Sequence, residues 1–227
     1  MAKENEKDIS GKVESTLNSF ITRHRLVLII IGVAIVLALI GLWIGLGVSA
    51  NITEANQLKI DTLQVEYDTW AALEDKTTDE ANASLTSLKD DLAELSRKGK
   101  KYPALKALYL LGMIEFNHEK YQEAHDYFIE ASNKAGTSFL ASLSLMNAAV
   151  CIEMSGDSVK ALDMYQAVYD RFGTDAPEAP KALFNVARLH EAANNLELAR
   201  AIFQQLADEF PSSEYAKLAQ SRLVTLQ

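Results

Sequence analysis

The sequence predicts an all-α protein, one transmembrane helix followed by an α-solenoid of helical hairpins. Three observations predict it. An apolar run without a single charge covers residues 26–50. Beyond that run, apolar residues recur at spacings of three and four, the period of a helix with one buried face. A pattern of small residue, polar turn, alanine and aromatic then recurs three times, with steps of 37 and 38 residues between the alanines.

At 1.5 Å per residue, a helix over 26–50 is about 37 Å long, more than the roughly 30 Å of a bilayer's hydrocarbon core. Lys7, Lys12, Arg23 and Arg25 precede the run within twenty residues, and only Lys59 follows it within twenty. Positive residues stay on the cytoplasmic side, so in a bacterium the reading is a single-pass protein of the inner membrane. Its N-terminus is expected in the cytoplasm and its large domain in the periplasm. Val48-Ser49-Ala50 resembles a signal-peptide cleavage site, but the run is far longer than an export signal's apolar core, so a retained anchor is expected. Gly41 and Gly45 match the spacing that lets membrane helices pack closely. That spacing reads as a chance pair or as a contact in a homo-oligomer.

The expected divisions are a tail over 1–25, the span over 26–50, a helical hairpin over 51–101 and a repeat domain over 102–227. The tail carries a charge near +1 and the remainder near −10. An acidic domain without a basic stripe argues against nucleic acid as a partner. The hairpin pairs a helix carrying Leu58, Leu63, Tyr67, Trp70 and Leu73 with one carrying Leu85, Leu88, Leu92 and Leu95. The turn is expected at 75–78, with Thr77 and Glu80 as a capping box.

The repeat is anchored on Ala124, Ala161 and Ala199. Four residues after each comes an aromatic (Phe128, Tyr165, Phe203), and twelve before each a small residue (Gly112, Ala149, Ala187). Antiparallel helices need small residues where their axes come closest, and the aromatic falls on the same face as its alanine. One hairpin of this size cannot bury its apolar face alone. Three stacked hairpins build a continuous core.

This pattern resembles the tetratricopeptide repeat over 105–211. Leu111-Gly112, Tyr121, Ala124, Phe128 and Ala131 match the first repeat; Ala149, Gly156, Ala161 and Tyr165 the second; Ala187, Ala199, Phe203 and Pro211 the third. Glu115 stands where an aromatic is usual, Gly136 stands for the terminal proline, and the period exceeds the family's 34. The longer period suggests extended turns between repeats, such as 173–180. The segment 210–223 is similar to the closing segment of the envelope repeat proteins CpoB and BamD. Read from its residues, it is a capping helix with Tyr215, Ala219, Leu223 and Leu226 facing the last repeat. The layout of tail, span, hairpin and repeats is similar to the YfgM family, the ancillary subunit of the Sec translocon.

The tetratricopeptide resemblance implies that the first helix of each pair lines a concave groove. The groove positions it implies are Lys106, Tyr109, Met113, Phe116 and Asn117, then Leu143, Met146, Val150, Glu153 and Met154, then Lys181, Phe184, Arg188 and Glu191. Tyr109, Met113, Phe116, Met146, Met154, Phe184 and Arg188 are the candidate protein-binding residues, because methionines adapt to varied partners and aromatics supply contact area. The competing reading is that the hairpin covers them.

No catalytic constellation, metal site or cofactor is expected. His24, His118, His125 and His190 lack the paired spacing of a metal-binding helix, and Cys151 reads as a small core residue. The expected function is a non-enzymatic adaptor whose partners are translocon subunits, chaperones or exported clients. The alternatives are a scaffold for outer-membrane assembly or cell division, and a regulator or enzyme whose site carries no sequence mark.

Overall fold

The computed structural model describes the backbone of Ala2–Leu226, with side-chain surroundings for 18–44, 46 and 51–226. The described secondary structure is helical throughout: α1 (Ala2–Ala71), α2 (Asp79–Ser96), α3 (Tyr102–Asn117), α4 (Tyr121–Ala135), α5 (Phe139–Met154), α6 (Ser158–Phe172), α7 (Ala179–Ala192), α8 (Leu196–Glu209) and α9 (Glu214–Thr225). The chain divides into two compact units, Met1–Ala55 and Asn56–Gln227.

In the first unit, Asn18–Ile44 is long and apolar enough to cross a membrane, with mean hydropathy 3.2. This window begins earlier than the apolar run read from sequence and shares 26–44 with it. Gly41 has open space around its α-carbon. Gly45, the segment 47–50 with the cleavage-like triplet, and Lys7 and Lys12 lie outside the residues whose surroundings are described.

The second unit is a row of antiparallel pairs. The C-terminal part of α1 pairs with α2 as a helical hairpin. Ile60, Leu63, Tyr67 and Trp70 meet Leu88, Leu92 and Leu95, and this layer seats on Ala107, Leu110, Leu111 and Ile114 of α3. The turn differs from expectation by one residue. Asp75 accepts hydrogen bonds from the Thr77 amide at 2.8 Å and the Thr77 hydroxyl at 2.6 Å. Thr77 is thereby consumed in the turn. Thr78 becomes the N-cap and accepts from the Ala81 amide at 3.2 Å, which takes Glu80 out of capping-box register.

The three repeats then share one turn geometry at equivalent positions. Each first helix ends with a left-handed residue five positions before the anchoring alanine: Glu119 (φ 60°), Gly156 (φ 91°) and Asn194 (φ 61°). Each turn closes with the same two backbone bonds. The left-handed residue donates to Phe116, Glu153 or Glu191, at 2.9–3.0 Å. The next amide donates to Glu115, Ile152 or His190, at 2.8–3.3 Å. This is the Schellman closure, and it ends the first helix in the same way in every repeat.

Ala124, Ala161 and Ala199 are fully buried at the crossings, as are Ala149 and Ala187. Phe128, Tyr165 and Phe203 are buried beside them. Phe128 packs inward on Gly112 of its own pair and outward on Ala148 and Cys151 of the next. The aromatic therefore serves both the pair and the joint between pairs.

Connector length explains only part of the longer period. The α6–α7 connector spans six residues, 173–178, two fewer than the expected 173–180, and α4 and α5 are joined by three, 136–138. α9 closes the stack: Ala219 is buried against Leu183, Ala187 and Phe203, with Tyr215, Leu223 and Leu226 packed around it.

Glu115, the departure from the aromatic pattern, is 4% exposed. Its carboxylate meets Lys89 of α2 at 2.5 Å and Lys120 at 3.6 Å. An acid replaces the aromatic because the hairpin brings a cation to that spot.

Candidate binding groove

The first helices of successive pairs (α1, α3, α5, α7, then α9) are joined by polar contacts at each step. Asn117 donates to the Tyr67 hydroxyl at 3.3 Å, and Asn147 to the Tyr109 hydroxyl at 3.1 Å. Arg188 donates to both oxygens of Glu153 at 2.7 Å. Arg222 pairs with Glu191. The Tyr165 hydroxyl also donates to Glu153 at 2.8 Å. These contacts fix each first helix against the next and set the spacing of the surface between them.

Within that surface lies a cavity of about 220 Å³ lined by Tyr109, Met113 and Phe116 of α3, Phe128 of α4, Asn147 and Val150 of α5, and Lys181 of α7. Tyr109, Met113 and Phe116 fall on one face of α3 because they are spaced by four and three. Phe116 meets Tyr121 edge-on at 5.5 Å, and Tyr109 meets Phe128 at 5.5 Å, so the aromatic walls are held by neighbouring rings. Burial raises the Tyr109 pKa, and the Asn147 hydrogen bond partly opposes that. Tyr109 and Met113 also pack against the hairpin layer. The hairpin thus covers one side of these residues while their other side lines the cavity.

The remaining expected groove residues lie elsewhere. Met146 is 1% exposed and belongs to the core with Leu145, Ala149 and Ile152, which corrects its assignment to the groove. α5 is buried on nearly every side, so its apolar pattern does not distinguish the concave face from the packed ones. Phe184 packs at 5.7 Å against both Phe203 and Tyr215, in the layer under the cap. Arg188 is committed to Glu153. Met154 is exposed at the end of α5 and does not line the cavity. Asn147 and Phe128 are the lining residues that sequence reasoning missed. Asn147 is found only through its partner on a different helix.

The groups with chemical potential are placed structurally. Cys151 is buried in α5, and burial pushes its thiol up to about 12. His118 stacks at 5.5 Å on Trp70, and Nδ1 of His125 lies 2.9 Å from Asp126. His24 stacks at 4.8 Å on Phe20. Among the described residues, no three of His, Cys, Asp and Glu gather as a metal site.

Comparison with known proteins agrees with this geometry. Residues 145–214 match the tetratricopeptide repeat family. The chain is 32% identical over 113 residues to a TPR repeat-containing protein of Treponema pallidum (strain Nichols), an alignment covering 50% of this chain and 46% of that protein. The chain therefore spans about half the length of the curated relative it matches. Among solved structures it is similar to a tetratricopeptide repeat protein from Parabacteroides merdae ATCC 43184, with TM-score 0.51, 22% identity, and 74% of this chain and 60% of that one covered. It is also similar to the nearly identical TPR-like repeats of a putative kinesin light chain from Podosopora anserina, with TM-score 0.52, 12% identity, and 74% and 86% covered. The fold is a tetratricopeptide-like α-solenoid, a class that presents surfaces for binding other proteins.

Proposed function

We propose that this protein is a membrane-tethered, non-enzymatic adaptor of the bacterial cell envelope that holds other proteins at the inner membrane through its concave groove. The observation that carries this reading is the cavity of Tyr109, Met113, Phe116 and Val150, an apolar recess on the face between consecutive first helices. Side chains this large and adaptable suit the apolar anchor of a partner segment. The apolar helix Asn18–Ile44 is the proposed tether. Tethering confines the domain to a thin layer and raises its effective concentration near membrane complexes.

The excess of Lys and Arg before the span supports a cytoplasmic tail and a periplasmic domain. In that compartment the partners of choice are translocon subunits, chaperones and exported clients, in keeping with the similarity of layout to the YfgM family. The proposed divisions are the tail over 1–25, the span over 26–50, the hairpin over 51–101 and the repeats over 102–227.

The test is affinity purification of the tagged full chain from solubilised membranes, compared with Met113→Glu and Val150→Glu variants of unchanged melting temperature. Translocation or chaperone components that are retained by the parent and lost from both variants would support the reading. An identical partner set for all three proteins would contradict it.

A further inference from the structure

The connectors between successive pairs gather at one end of the row. The rings of Tyr102 and Phe139, at the starts of α3 and α5, stand 6.4 Å apart. Phe139 and the α6–α7 connector line one cavity of about 370 Å³. The chain enters the second unit at this same end. Lys59 of α1 bridges to Asp91 at 2.7 Å and to Glu94 at 3.7 Å, in the last turns of α2. The α2–α3 connector follows directly.

That connector begins Arg97-Lys98-Gly99-Lys100-Lys101, four cations and no acid, in a chain of net charge −9. All five residues are exposed. Glu94 answers Lys98 at 2.7 Å and is shared with Lys59, so the run keeps an excess of positive charge. Tyr102, 42% exposed, follows the run at once, and Phe139, 58% exposed, stands beside Tyr102. Further along the row the sign reverses. The α6–α7 connector carries Asp175 and Glu178 and no cation. Arg171 shares the cavity wall with Asp175. Positive charge and exposed rings therefore coincide at the connector nearest the point where the chain enters.

Cations gain from the negative potential of an anionic bilayer surface, and amphipathic rings settle at the level of its headgroups. Resting on the reading of Asn18–Ile44 as the tether, we propose that the run Arg97–Lys101, with Tyr102 and Phe139, docks on the anionic headgroups of the membrane that holds the tether. Residues 45–55 separate the apolar window from the start of the second unit at Asn56. Even fully extended they reach only about 40 Å, so the tether keeps the run within reach of the bilayer. A tethered contact is intramolecular in effect, so a small patch suffices. Tyr109 and Phe116 stand 7 and 14 residues beyond Tyr102 on α3, about 10 and 21 Å along the helix. Docking therefore leaves the cavity between them open to a protein partner.

The test uses the full chain in nanodiscs whose lipids carry headgroup nitroxides that quench a dye on contact. The dye is attached to the folded protein, in which Cys151 is buried, through Thr137→Cys beside Phe139 or through Val159→Cys at the exposed start of α6. In phosphatidylcholine with about 30% phosphatidylglycerol, at about 0.1 M salt, the dye at 137 should be quenched and the dye at 159 should not. Quenching at 137 should fall in phosphatidylcholine alone and at about 1 M salt, where the Debye length shrinks to about 3 Å. In Arg97→Gln/Lys100→Gln/Lys101→Gln, the docked-to-undocked ratio should fall about fivefold for each cation removed. Phe139→Ser should lower it as well. The lipid and salt arms need no substitution in the patch, so they decide the matter even if a variant misfolds.

Equal quenching at 137 and 159, or quenching at 137 that ignores lipid charge and salt, would overturn the inference and leave the tether and the groove reading intact. Recovery of the chain outside the nanodiscs would overturn the tether along with it. A protein partner lost from the triple variant, with no excess quenching at 137 in the parent, would assign the basic run to an acidic protein and overturn the lipid contact.

Discussion

The ring of Phe128 lies directly on the α-carbon of Gly112, and a β-carbon added at Gly112 would fall 2.7 Å from the ring. Nothing at the end of a flexible chain gives way there, because the ring is wedged between α3 and α5. Gly112→Ala gains about 1 kcal/mol of helix propensity and loses about 1–3 kcal/mol to overpacking. The expected net loss is about 1 kcal/mol, read from the denaturant midpoint. Adding Phe128→Leu to Gly112→Ala should recover part of it. A more stable single variant would show that the two helices are free to move apart.

The repeat turns make a paired prediction. Glu119 and Gly156 occupy the same left-handed position in successive repeats. Glu119→Gly should stabilise the domain by up to about 1 kcal/mol, and Gly156→Ala should destabilise it by about as much. Equal effects of one sign in chemical denaturation would contradict the equivalence of the turns.

The buried carboxylate of Glu115 depends on Lys89. Lys89→Met leaves it with only the more distant Lys120, at an expected cost of about 1–3 kcal/mol. Lys89→Met combined with Glu115→Leu should be close to neutral, since a buried ion pair is often replaceable by apolar groups. A double variant as unstable as the single one would mean that the pair itself, and not its unpaired remnant, holds the hairpin on α3.

Burial raises the Cys151 thiol from an ordinary value near 9 to about 12. The unfolded chain therefore releases this proton at lower pH than the folded one. The stabilisation is complete below about pH 9 and is lost as pH rises from there toward 12. The parent's stability should fall more steeply over that window than that of Cys151→Ala. At pH 8 in the folded state, Cys151 should resist alkylation and react only in denaturant. Parallel stability curves, or fast labelling of the folded chain, would contradict this placement.

The repeat register was legible in the sequence because close helix crossings force small residues at fixed positions, and Ala124, Ala161 and Ala199 mark them without ambiguity. The lining of the cavity was legible on α3, where Tyr109, Met113 and Phe116 stand on one face. It was not legible on α5, since a helix enclosed by neighbours carries the same apolar residues toward the concave face as away from it. Met146 was misplaced for that reason. Phe184 was obscured by the cap, whose Tyr215 lies over it. The polar contacts joining successive first helices, such as Asn147 to Tyr109, depend on residues 38 apart and leave no local trace.

Site-specific photo-crosslinking in intact membranes tests the central claim most directly. A photoreactive residue is placed in turn at Met113, at Phe116 and, as a control outside the cavity, at the exposed Val159 of α6. A groove that binds protein predicts discrete protein adducts at Met113 and Phe116 and none of the same species at Val159. The same adducts at all three positions, or adducts at Val159 alone, would contradict it.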